Sequence, residues 1–302
     1  MSLYDVIGDL REMPFWRAVV LASLANVAMF FLALLAGFVL TRRFRRRRVT
    51  PEPPALTRNE IALAATCVVL NALVAVAGVA MWREGAISVR PFGEYGWLTV
   101  LLDAFVLFVA MDLAMYVFHR LAHHPRLFPI AHRTHHEYES PRPLTLFVLN
   151  PVEVLGFGGL WLAVLIAYSS SVEGILIYLS LNLAFGLVGH LGVEPAPGAW
   201  LRVPMLRYVS TSTFHAEHHM DRDHNFGFYL LVWDRLFGTL SPDYQADSSG
   251  RRDGHLHQPV SDEFRVGAVF CDVPGRRRGG ASPPLSRAEL LGRRPLPRRS
   301  GA

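Results

Sequence analysis

Charged and apolar residues are segregated into blocks along this chain. Ala18 to Leu40 runs for 23 residues without a charge, and Ile61 to Trp82 for another 22. A helix needs roughly 20 apolar residues to cross the hydrocarbon core of a bilayer, so both runs predict spanning helices. Trp97 to Phe118 predicts a third, broken only by Asp103 and Asp112. Two shorter stretches, Val152 to Tyr168 and Gly174 to Gly189, flank the polar turn Ser169-Ser170-Ser171-Val172-Glu173 and read as a helical hairpin. Its glycines Gly156, Gly158 and Gly159 suit close helix packing; no strand precedes them, which argues against a nucleotide cradle. The expected fold is an all-α integral membrane protein with about five transmembrane or membrane-embedded helices.

Composition agrees with the blocks: the 302 residues are 51% hydrophobic with a mean hydropathy of +0.26, too apolar for a soluble domain of this length. Arg17 stands alone before the first run, whereas Arg42, Arg43 and Arg45 to Arg48 follow it. That order belongs to a stop-transfer anchor rather than a cleaved signal. The link Thr41 to Glu60 carries seven Arg against two Glu, and the link Arg83 to Gly96 two of each. The positive-inside rule then puts the first link in the cytoplasm, with the N-terminus outside. A bacterial cytoplasmic membrane is the expected location.

The formal charge of +5 does not point to nucleic acid, because six arginines sit at the foot of the first span and eight lie beyond Gly275. Cys67 and Cys271 provide neither a disulfide framework nor a CxxC pair. The chain turns polar at Pro242, and from Pro274 it is mostly Arg, Pro, Gly and Ser, which reads as a disordered basic tail. Three regions follow: anchor helices over 1–96, a catalytic region over 97–240, and the tail over 241–302.

Eleven of the thirteen histidines fall between positions 119 and 224. They form His119-Arg-Leu-Ala-His123-His124, His132-Arg-Thr-His135-His136, an isolated His190, and His215-Ala-Glu-His218-His219. Positions i, i+3 and i+4 share a helix face, so each box is expected to aim its imidazoles at one point. Ionisable groups beside a membrane are costly and usually functional. The nine ligand candidates are His119, His123, His132, His135, His136, His190, His215, His218 and His219. One transition ion takes four to six ligands, so nine imply two ions in an all-nitrogen site. Imidazole suits iron, zinc and copper alike and does not choose the metal. Every box falls on one side of the membrane, giving a cytoplasmic histidine-lined two-metal cap.

The order HxxxHH, HxxHH, lone His, HxxHH resembles the fatty acid hydroxylase and sterol desaturase superfamily. Gly189-His190-Leu-Gly-Val-Glu194, Asn225-Phe226-Gly227 and Trp233-Asp-Arg-Leu-Phe-Gly-Thr239 are similar to its later motifs. The resemblance covers roughly Asp112 to Thr239 and leaves His124 and His224 unassigned. It implies a centre of two iron ions that uses O2 to hydroxylate or desaturate a C–H bond of a sterol or fatty acyl lipid. Nearby carboxylates are expected to tune the uncompensated charge, with Asp112, two turns before His119, the first candidate. Tyr116, between them, and Glu194, a turn after His190, are the others. Asp234 and Arg235 read as a structural turn.

Two other functional classes fit these residues less well. A metal transporter or sensor needs ligands at depth, whereas the boxes lie at one membrane face. A zinc-dependent membrane hydrolase needs HExxH, which is absent. No dinucleotide fingerprint, CxxCH or iron–sulfur cysteine set occurs. Electrons are therefore expected from a separate ferredoxin, flavoprotein reductase or cytochrome b5-like donor.

Overall fold

The structure, a computed structural model, describes residues 12–91 and 93–244. Each apolar block is a helix: α1 (Phe15–Arg43), α2 (Arg58–Arg83), α3 (Trp97–Ala122), α6 (Pro151–Ala167) and α7 (Val172–Gly189). Between and after them lie the short helices α4 (Phe128–Ala131), α5 (Arg133–His136), α8 (Ser212–Met220) and α9 (Val232–Phe237). α1, α2, α3 and α7 are long and apolar enough to cross a membrane, while α6, at 17 residues, is shorter. The chain is an all-α integral membrane protein, and the large apolar side chains exposed along α1 and α3 form its lipid-facing surface.

Local chemistry starts the helices where the blocks begin. Thr57 caps α2: its hydroxyl accepts the Glu60 N–H at 3.2 Å, and Glu60 Oε2 accepts the Thr57 N–H at 2.8 Å. Asn150 caps α6 by accepting the Val152 N–H at 2.9 Å, with Pro151 at the first helical position. Ser171 caps α7 through the Gly174 N–H at 3.2 Å. α3 packs on both arms of the α6–α7 hairpin, and α2 lies between α1 and α6. A side chain at Gly158 would come within 2.5 Å of Val74, so this glycine sets the approach of α6 to α2.

The expected polar turn closes the end of the bundle remote from the histidines. Its β2 (Ser170–Ser171) pairs in parallel with β1 (Val89–Arg90). Buried Asp103 of α3 holds that turn. It accepts from Tyr168 Oη at 2.8 Å, from Ser171 N at 2.9 Å and Oγ at 2.6 Å, and from the Arg90 guanidinium. This intramembrane acid is fully partnered, about 24 Å along α3 from His119 at 1.5 Å per residue.

The expected boundary at residue 240 falls inside packed structure. Tyr244 is buried with Phe214, Leu231 and Leu240, and its hydroxyl lies 3.1 Å from Thr211 Oγ1. The remainder of the expected tail, and Cys271 with it, lies outside the described residues.

Candidate metal centre

Helix ends bring the histidines together. His119 is in the last turn of α3, His123 caps its C-terminus, His132 joins α4 to α5, and His135 and His136 lie in α5. His190 caps the C-terminus of α7, and His215, His218 and His219 lie in α8. All nine expected positions converge, but as two groups: His119, His123, His132, His136 and His218, and His135, His190, His215 and His219. Within each group the candidate ligand nitrogens lie within 4.8 Å of one another. The groups abut, with the His136 and His219 ring centroids 5.0 Å apart.

The boxes do not each aim at one point, contrary to the spacing argument. The i and i+4 members stay together, as in His132 with His136 and His215 with His219. The i+3 member, His135 or His218, joins the other group. The reason is rotation: at about 100° per residue, positions i+3 and i+4 diverge by 100°, whereas i and i+4 differ by only about 40°.

Four of the nine rings are held through Nδ1 by a backbone carbonyl. The N–H of His119 donates to Phe226 O at 2.9 Å, that of His135 to Val148 O at 3.3 Å, that of His190 to Gly186 O at 2.7 Å, and that of His218 to His224 O at 2.6 Å. A carbonyl can only accept, so Nδ1 carries the proton and Nε2 the lone pair. His135 and His190 then point two Nε2 lone pairs at each other across 3.2 Å. Further Nε2 pairs stand at 2.9 Å for His119 and His132, 3.1 Å for His136 and His218, and 3.1 Å for His190 and His215.

Facing lone pairs in a dry site repel unless a cation lies between them, and these residues fit one. Separations of 2.9–3.2 Å between imidazole nitrogens are short enough for each pair to hold one ion jointly, and these are the residues that would hold it. Burial, reinforced by neighbouring imidazoles, keeps the rings neutral. It lowers His123 to about 2 and His135 to about 3, and burial alone lowers His190 to about 4. His132, His136, His215, His218 and His219 are pushed well below the usual range by the same causes.

The three expected supporting residues do not touch the histidines. Asp112 accepts from Tyr229 N at 2.9 Å, Leu230 N at 3.4 Å and Trp233 Nε1 at 2.9 Å. It therefore pins the loop that follows Phe226 rather than His119 itself. Tyr116 Oη pairs with Thr239 Oγ1 at 2.9 Å, and its face is taken by Phe237. Glu194 does not continue α7, which ends at Gly189, and accepts instead from Thr213 in the first turn of α8. Asp234 does act as a turn residue, accepting from Phe226 N and Gly227 N at 2.8 Å. His124 and His224 stay outside both groups, though the backbone of His224 holds His218.

Among the described residues, the carboxylate that does reach a histidine of the two groups is Glu153, which the sequence pattern did not bring forward. Its Oε1 lies 2.7 Å from His132 Nδ1, and both side chains are only 2% exposed. A signal existed, since Glu153 is the one charge in the apolar stretch Val152 to Tyr168.

Asp112→Asn is expected to lower the melting temperature in detergent and loosen metal retention together. An amide opposite three N–H donors leaves one of them buried and unpaired, at about 1–3 kcal/mol. Unchanged melting and metal content would show that the loop does not depend on Asp112.

Residues 104–239 match the fatty acid hydroxylase family model. The chain is 33% identical over 142 residues to a very-long-chain aldehyde decarbonylase of Oryza sativa subsp. indica, covering 43% of this chain and 22% of that protein. It is 28% identical over 145 residues to methylsterol monooxygenase 1 of Gallus gallus, covering 48% of each. It is 25% identical over 236 residues to a Delta(7)-sterol 5(6)-desaturase of Aspergillus fumigatus, covering 71% of each. The matched stretch is thus about a fifth to a half of the first two relatives. No solved structure matches.

Proposed function

We propose, from the match of residues 104–239 to the fatty acid hydroxylase family model and the similarity to a methylsterol monooxygenase and a sterol desaturase, that this chain is an O2-dependent membrane oxidoreductase. Its nine histidines hold two iron ions, and it hydroxylates or desaturates a C–H bond of a sterol or fatty acyl lipid. The observation that carries the reading is the pair of adjacent buried imidazole groups within which Nε2 atoms approach to 2.9–3.2 Å.

Bound iron supplies the activation of O2. The residues supply the rest. Carbonyls of Val148, Gly186, His224 and Phe226 fix ring tautomers and orientation, so Nε2 is presented already deprotonated. Glu153 offsets part of the cation charge through His132, making the first group the more basic of the two. Phe128, Phe226 and Phe228 pack against His123 and His119 and keep water from that wall. The groups sit at the end of α3, beside the apolar helices that cross the membrane. The Arg42 to Arg48 run supports a cytoplasmic position for this end, where a separate ferredoxin, flavoprotein reductase or cytochrome b5-like donor delivers electrons. Residues 97–244 form the catalytic region, with the preceding helices as its anchor.

The test is lipid analysis of membranes from cells making the wild-type chain or His219→Ala. A sterol or acyl lipid one oxygen heavier or two hydrogens lighter, made only by the wild type with O2 and reductant, is expected. Identical lipids in both membranes would defeat the reading.

A further inference from the structure

The arginine run after α1 does more than orient the chain. Residues Arg45–Arg47 form a 3₁₀ turn, and Arg48 then bridges antiparallel to Val193. Glu194 N donates to Arg47 O at 2.8 Å, and Val49 N donates to Gly192 O at 3.1 Å. The Arg47 guanidinium donates to Pro195 O at 3.2 Å and to Ala196 O. Gly192 permits this clasp. Its φ is +65°, and a side chain there would stand 2.7 Å from Pro141 O and 3.1 Å from Thr50 Oγ1.

The clasped segment runs straight into the second histidine group. It begins at His190. Glu194 Oε2, buried, accepts from Thr213 N at 2.9 Å and Oγ1 at 2.8 Å, and Oε1 accepts from Ala196 N at 2.9 Å. This sets a carboxylate at the N-terminus of α8, where charge and dipole agree. Ser212 Oγ also donates to Val188 O, and the His215 ring lies against Gly189. Three of the four histidines in that group, His190, His215 and His219, are therefore placed by this junction. The first group has other supports: Glu153 for His132, Phe226 O for His119, and His224 O for His218, the one member of that group on α8.

We infer that Arg47 and Glu194 are positioning residues for the second histidine group. A segment outside the family-matched residues 104–239 thus completes one of two metal sites. This rests on the reading that both groups hold metal. The guanidinium fork spans two successive carbonyls, fixing the loop between His190 and α8, and Glu194 transmits that placement to the helix.

The test uses full-length protein in detergent, loaded with iron and titrated with a chelator, alongside thermal unfolding. Wild type is expected to hold two ions. Arg47→Ala is expected to weaken one of them by about 10–100-fold, the usual cost of losing a supporting contact, with the other unchanged. Arg47→Lys, which keeps the charge but not the fork, gives the same selective loss to a smaller extent. Combined with His135→Ala, Arg47→Ala should remove no further ion; combined with His123→Ala, it should leave neither tightly held. Two tightly held ions in Arg47→Ala, or equal weakening of both with a lower melting temperature, would overturn the inference. A wild type that binds no transition metal would instead defeat the metal reading on which it rests.

Discussion

Alanine at His135 and alanine at His136 should each abolish product formation, yet remove different ions. The two residues are neighbours in the chain, but His136 belongs with His119, His123, His132 and His218, and His135 with His190, His215 and His219. Each single variant is expected to retain about one iron per chain and turnover below detection, because the reaction needs both ions. The double variant His135→Ala/His136→Ala should retain none. His135→Ala/His219→Ala, taken from one group, should still retain one. These doubles separate the observed arrangement from the simpler one in which each box serves one ion. In that case the adjacent pair would lose no more metal than either single variant.

Glu153→Gln is expected to cost about 10–100-fold in activity or in iron affinity at the first group. The carboxylate stands 2.7 Å from His132 Nδ1 in a site where neither side chain meets solvent. Charge is therefore poorly screened there, and an amide of equal size removes the only carboxylate contact made by a histidine of the centre among the described residues. Iron titration and product formation on the same membranes provide the measurement. His224→Ala is the contrast. Its side chain pairs with Asp221, and only its backbone carbonyl holds His218, so most activity and both ions should survive. Wild-type behaviour in Glu153→Gln would reduce the acid to a packing residue.

Block hydrophobicity made the five apolar helices legible, because spanning a bilayer demands length and the absence of charge, which are properties of sequence alone. The convergence of the nine histidines was legible for a similar reason: dense histidine spacing beside apolar runs has few other uses. Their division into groups was not, since i+3 and i+4 positions share a face only loosely. A four-residue helix such as α5 can turn that small divergence toward two targets. The supporting residues were hardest to find. Asp112 and Glu194 were chosen by distance along a presumed helix, but α7 ends at Gly189, and Asp112 meets a loop more than a hundred residues away. Four of the ring supports are backbone carbonyls, which no residue type announces. Glu153 carried a visible signal, a lone charge in an apolar stretch, of the same kind as Asp103 and Asp112.

The central claim is that the nine histidines hold two iron ions that do the chemistry, and metal analysis paired with activity tests it most directly. Protein purified under reducing conditions should carry two irons per chain. Removing them by chelation should abolish lipid oxidation, and restoring iron, but not zinc, should recover it. One tightly held zinc per chain, with full activity after iron is chelated away, would contradict the account.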